Sequence, residues 1–142
     1  MFGVRCVTEA DKTFWFSLDR HLSDSEFILK ARDRRGYIIC DDCHPIGIMR
    51  YNLFWDIIPF LTLIALDDNQ HRKGFGSQAM LFWESEMRNL GFKMVMTSTQ
   101  VDEQAQHFYR NLGYKDKGGL FLDGTPFEQP QELLMLKVLC EQ

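Results

Sequence analysis

The stretch from Phe60 to Thr99 limits this chain more than any other. Phe60-Leu61-Thr62-Leu63-Ile64-Ala65-Leu66 is nearly continuous in apolar residues, which suits a central strand covered on both faces. The run stops at Asp67 and Asp68. A short polar loop follows, with Gly74 and Gly76 spaced one residue apart. Apolar residues then recur at Met80, Trp83, Met87 and Leu90, which is helix spacing. That helix is expected from about Phe75 to Leu90, with Gly91 as its stop. Phe92 to Thr99 reads as the next strand. Strand, helix, strand makes a right-handed parallel crossover. The glycine loop points a fan of backbone N–H groups at one spot, where the helix N-terminus favours negative charge. A phosphate is the expected guest.

The rest of the chain adds antiparallel strands to this unit. Phe2 to Thr8 alternates loosely and reads as a first strand. Thr8 is the expected cap of a helix carrying Phe14, Trp15 and Leu18, with Glu9 and Asp11 in its first turn. Ser23 or Asp24 caps a second helix with Phe27, Ile28 and Ala31, and Gly36 is its expected stop. Tyr37–Cys40 and Ile46–Leu53 read as an antiparallel hairpin joined by the turn Asp41 to Pro45. Pro59 is expected just ahead of the next strand, where its missing N–H is harmless. After the crossover, Asp102 is the expected cap of a helix with Ala105, Phe108, Tyr109 and Leu112 on one stripe and Gly113 as its stop. Tyr114–Asp123 and Glu132–Leu139 close the sheet. Helices are expected on both faces, and ligands beyond the carboxyl ends of the parallel strands, near Leu66–Gly76 and Thr97–Asp102.

Length and composition bound the function. The 142 residues, 45% apolar, are enough for one domain with its own core. Net charge is −4, so the basic field of a nucleic-acid binder is lacking. The first residues carry no apolar segment of signal-peptide length, and no run approaches a membrane span. The expected location is the cytoplasm, without membrane or nucleic-acid partners, as a monomer or homodimer. Cys6, Cys40, Cys43 and Cys140 are expected as thiols, two or more of them in the core.

Two motifs fall on the same edge of the expected sheet. One is His71-Arg72-Lys73-Gly74-Phe75-Gly76-Ser77. The other runs from Asp102 to Tyr114, DEQAQHFYRNLGY. Together they resemble the GNAT superfamily of acetyl-CoA-dependent N-acetyltransferases. The first matches the (Arg/Gln)-x-x-Gly-x-(Gly/Ala) pyrophosphate loop. The second matches the Asn-x-x-Ala-x-x-Phe-Tyr-x-x-x-Gly-(Phe/Tyr) helix. The resemblance covers essentially all of the chain in element order. It implies a mixed, mostly antiparallel α/β sheet of six to seven strands, with about four helices and one parallel crossover, as a single domain over residues 1–142.

The resemblance also implies a site. The N–H groups of Arg72 to Ser77 would take the pyrophosphate of coenzyme A, with Gly74 and Gly76 admitting the phosphates closely. Ile64, Ala65 and Leu66 would lie beside the pantetheine arm, largely through backbone bonds, and one N–H there would receive the thioester carbonyl. Tyr109 stands at the position whose hydroxyl protonates the leaving thiolate. The implied reaction is direct attack of a primary amine on acetyl-CoA, with no metal and no covalent enzyme intermediate. Two positions depart from the pattern. His71 replaces Arg/Gln and lacks a fixed charge; Asp102 replaces Asn and accepts hydrogen bonds without donating. Protonated His71 is expected to strengthen coenzyme binding.

Other readings compete. Cys40-Asp41-Asp42-Cys43-His44 spells the attachment motif of c-type haem, but it falls in a hairpin turn and further zinc ligands are not evident nearby. A binding module that holds acyl-CoA without turnover is the alternative function. The general base is open: Asp56, Asp67, Asp68 and Glu103 are nearby carboxylates, and a water route to solvent suffices for an amine. The acceptor groove is expected near Phe14, Trp15, Phe27 and the tract from Tyr51 to Trp55. The acidic composition favours a cationic acceptor.

Overall fold

A computed structural model describes residues 1–68 and 74–139. The elements are β1 (Phe2–Cys6), α1 (Lys12–Leu18), α2 (Asp24–Asp33), β2 (Gly36–Asp41), β3 (His44–Phe54), β4 (Ile58–Leu66), α3 (Phe75–Asn89), β5 (Met94–Gln100), α4 (Ala105–Asn111), β6 (Lys115–Leu120) and β7 (Glu132–Val138). The strands form one sheet of seven in the order β1-β2-β3-β4-β5-β7-β6. The β1–β2, β2–β3, β5–β7 and β6–β7 pairs are antiparallel. β4 and β5 run parallel, with Phe60 opposite Met96 and Leu61 opposite Thr97. The expected mixed α/β class is therefore the one the chain adopts. Residues group into two compact units, Met1–Asn52 with Thr62–Ser85, and Leu53–Leu61 with Glu86–Gln142.

In the first unit the apolar stripes of α1 and α2 decide the core. Val7, Trp15, Phe27, Ile38, Cys40 and Ile48 form one buried cluster, with Leu63 and Ala65 packed against it. Phe27 lies 5.6 Å from Trp15 and 5.4 Å from Phe16, ring centre to ring centre. Such burial stabilises by roughly 1.5–3 kcal/mol per large side chain. On the other face Tyr37 and Tyr51 stack at 6.3 Å, with Phe82 and Trp83 of α3 against them. So helices cover both faces of this part of the sheet.

Local details depart from expectation where two roles compete for one residue. Ser23 is the cap of α2, its hydroxyl accepting the Glu26 N–H at 3.2 Å. Thr8 opens a 3-10 turn, Glu9–Asp11, ahead of α1. The stop of α2 is Arg34, left-handed at φ 59°, not Gly36. Gly36 instead begins β2, where a Cβ would lie 2.9 Å from Val7 and 3.3 Å from Trp15. The hairpin turn shortens to Asp42 and Cys43, both left-handed at φ 51° and 68°, which suits the twist of the flanking strands. Pro59 falls inside β4 rather than before it.

One buried charge pair belongs to this unit. Asp19, just past α1, has a side chain with 0% exposure, and Arg50 of β3 has 12%. Their shortest contact is 2.8 Å, from Arg50 Nε to Asp19 Oδ2.

In the second unit β7 lies between β5 and β6. Helix stops match expectation: Phe92 N–H donates to Met87 O at 3.0 Å past α3, and Tyr114 N–H to Tyr109 O at 3.1 Å past α4. These six-to-one bonds satisfy carbonyls the helix ends would leave bare. The start of α4 differs. Its capping position is Gln104, without a side-chain cap, and Asp102 is exposed. Glu103 organises the preceding turn instead, accepting the Thr99 hydroxyl at 2.8 Å and the Gln100 N–H at 2.9 Å. Gln106 covers the Val101 and Glu103 carbonyls. No helix among the described residues is long and apolar enough to cross a membrane.

Candidate active site

The start of α3 carries the end of the expected glycine loop. Gly74 adopts φ 81°, a backbone region that L side chains rarely enter. Its carbonyl accepts the Gln78 N–H at 3.1 Å, which makes it the first acceptor of the helix. The N–H groups of Phe75, Gly76 and Ser77 then precede any possible intrahelical acceptor. All three residues are half-buried. Phe75 is held by Phe2 of β1, ring on ring at 6.3 Å and 13°. His71, Arg72 and Lys73 lie outside the described residues.

Ile64, Ala65 and Leu66 end β4, past Leu61 in its parallel register. Ala65 and Leu66 have neighbours within the first unit. Ala65 packs against the α1–α2 cluster. A Cβ on Gly47 of β3 would lie 2.6 Å from Leu66 Cδ2 and 2.8 Å from the Ala65 carbonyl oxygen. The close approach of β3 to β4 therefore needs glycine at 47, a requirement that the sequence pattern did not single out. Asp67 extends the pairing, its N–H reaching Ile46 O at 2.7 Å.

Tyr109 of α4, the expected proton donor, lies in the second unit. It is 6% exposed, between Phe108 at 5.3 Å and Tyr114 at 5.7 Å. Its hydroxyl is hydrogen-bonded to Thr97. The Thr97 hydroxyl gives its own proton to Leu61 O at 3.1 Å. The neutral phenol is thus the donor in the Tyr109–Thr97 bond. Burial pushes the phenol above its ordinary pKa. The hydrogen bond to Thr97 opposes that, while Glu103 and Glu132 add to the rise. The group is protonated throughout the physiological range. Sequence reasoning missed Thr97, which reads as an ordinary β-branched strand residue.

Several expected site residues are placed elsewhere. Trp15 and Phe27 are 0% exposed and Tyr51 is 4%; they are core, so they do not line an acceptor groove. Phe14 packs on the same cluster. Trp55 is 75% exposed. Of the carboxylates, Asp67 and Asp68 are exposed and Glu103 is engaged as above. Cys40 is buried on β2 while Cys43 is exposed in the turn. Cys6 is half-buried on β1. Among the described residues no three His, Cys, Asp or Glu side chains gather as metal ligands.

The acetyltransferase (GNAT) family model matches residues 5–114. The chain belongs to the GNAT acetyltransferase family, and is an acyltransferase by that membership. No curated protein matches it. Solved structures share its fold. Ard1 from Thermoplasma volcanium is 16% identical with a TM-score of 0.84, covering 99% of both chains. The ribosomal-protein alanine N-acetyltransferase from Escherichia coli is 14% identical, TM-score 0.82, covering 100% of this chain and 96% of that one. The yncA protein from Salmonella typhimurium, solved with its cofactor acetyl-CoA, is 12% identical, TM-score 0.79, over 100% of this chain and 96% of that one.

Proposed function

We propose that this chain moves an acetyl group from acetyl-CoA to a primary amine of a small molecule or peptide, acting as one N-acetyltransferase domain. The observation that carries the reading is Tyr109: a buried phenol, kept protonated, bonded through Thr97 to the carbonyl of the last parallel pair. Direct attack of an amine on a thioester expels a thiolate, and a phenol within hydrogen-bond reach supplies its proton. The amine loses its own proton to solvent water.

The donor has a matching set of groups. The N–H groups of Phe75, Gly76 and Ser77, with the loop His71-Arg72-Lys73-Gly74, would hold the pyrophosphate. Ile64, Ala65 and Leu66 would offer backbone groups to the pantetheine amides. Asp102, exposed ahead of α4, is assigned to the same coenzyme by its place in the motif. The Salmonella structure with acetyl-CoA supports the same donor here.

The test is release of free thiol from acetyl-CoA over a panel of small and peptide amines. Thiol release that depends on an added amine supports the reading. Acetyl-CoA binding with no release across the panel indicates a binding module without turnover. Absence of binding overturns the reading.

Gly47→Ala probes the donor strand. The added Cβ must displace the Ala65 carbonyl or the Leu66 side chain. A loss of about 1–3 kcal/mol in stability is expected from this overpacking. Weaker acetyl-CoA binding should accompany it. Urea unfolding and calorimetric titration measure the two; unchanged values in both would refute the assigned contact.

A further inference from the structure

Asp19 gathers more hydrogen bonds than a cap residue needs. Its carboxylate accepts from Trp15 Nε1 at 3.0 Å, Arg50 Nε at 2.8 Å and Arg50 Nη2 at 3.4 Å. It also accepts the backbone N–H of His21 at 3.1 Å and of Leu22 at 3.3 Å. Arg50 carries the link onward. Its Nη1 donates to Thr62 Oγ1 at 2.9 Å, and that hydroxyl donates back to Arg50 O at 3.1 Å. Thr62 directly follows Leu61, the last residue of β4 in the parallel register. It lies two residues ahead of Ile64. One carboxylate therefore reaches both the α1–α2 turn and the strand assigned to the donor.

Stability alone is a poor account of this arrangement. A buried ion pair gains little over apolar side chains of the same volume, because desolvation offsets the attraction. What it imposes is geometry. The guanidinium fork fixes direction as well as distance, and Arg50 holds the Thr62 hydroxyl twice, with Nη1 donating to it and the Arg50 carbonyl accepting from it.

We propose that Asp19 and Arg50 are positioning residues for the acyl donor. Through Thr62 they hold Ile64–Leu66 in the alignment that receives the pantetheine arm. Through the His21 and Leu22 N–H groups they tie that strand to the α1–α2 turn. The inference rests on the assignment of acetyl-CoA to Ile64–Leu66 made above.

Thr62→Val removes the hydroxyl at nearly constant volume, and Thr62→Ser restores it. Both, with Asp19→Asn, are titrated with acetyl-CoA by calorimetry at a temperature where circular dichroism shows them folded. Thr62→Val is expected to bind about tenfold more weakly and Thr62→Ser within about twofold of wild type. Asp19→Asn should weaken binding in the same direction. A purely structural clamp would lower the melting temperature and leave the affinity of the folded variants unchanged; that result overturns the proposal. If Asp19→Asn does not fold, the Thr62 pair decides. Wild-type protein that binds no acetyl-CoA overturns the functional reading itself, and this inference with it. Wild-type binding with no Thr62→Val effect overturns the inference alone.

Discussion

Replacing Tyr109 by phenylalanine should lower kcat by about 10²-fold or more, with acetyl-CoA affinity close to wild type. The ring keeps its packing against Phe108 and Tyr114, so the fold persists. What goes is the hydroxyl, and with it the only atom of Tyr109 able to give a proton to a departing thiolate. Loss in kcat without a matching change in donor binding marks a group that acts in the transition state. The phenol is pushed above its ordinary pKa by burial. Its deprotonation therefore should not limit the wild-type rate until pH exceeds the usual tyrosine range. A single-turnover rate for Tyr109→Phe equal to wild type, with a substrate from the amine panel, would remove Tyr109 from the mechanism.

The largest effect on stability is expected from Asp19→Ala. Removing one partner of a buried pair strands the other charge and costs about 3–5 kcal/mol. Here it also takes acceptors from Trp15 Nε1 and two backbone N–H groups. Urea unfolding measures the loss, and a change under about 1 kcal/mol would contradict the burial argument. The pH dependence follows from the direction of the shift. Burial pushes the Asp19 carboxyl up, but Arg50 and the His21 and Trp15 donors outweigh it and hold it below its ordinary value. The folded state thus binds this proton more weakly than the unfolded one. The stability it provides is complete above the ordinary carboxylate range and is lost as pH falls through the folded value. Asp19→Asn should flatten that acid limb of stability.

How much of this was legible in the sequence depends on whether a role leaves a local pattern. The crossover did, because apolar runs and helix-spaced residues follow each other from Phe60 to Thr99. Gly91 and Gly113 did, because a helix stop asks for glycine at a set offset. Tyr109 was singled out through a motif, and its burial beside Phe108 and Tyr114 comes from the fold. Gly36 misled, because a glycine needed for close packing looks the same as one that ends a helix. Asp102 misled because Glu103, one residue on, is better placed to take the Thr99 and Gln100 donors. Trp15 and Phe27 were assigned to a groove, yet a core stripe and a groove lining share one periodicity. The Asp19–Arg50 pair spans 31 residues, a separation that only the fold closes. Its one trace is an arginine within the apolar strand Ile46–Leu53, where a buried cation implies a hidden carboxylate.

Gly74 carries a consequence in the chemistry of chirality. A Cβ added there would meet no described atom within 4 Å, so room is not what excludes larger residues. The φ of 81° is. An L-alanine at 74 is strained, while its mirror image, D-alanine, prefers that backbone. A protein assembled by chemical ligation with D-alanine at 74 should retain the start of α3. It should also gain roughly 0.4–1 kcal/mol, since the unfolded chain loses freedom that glycine gives it.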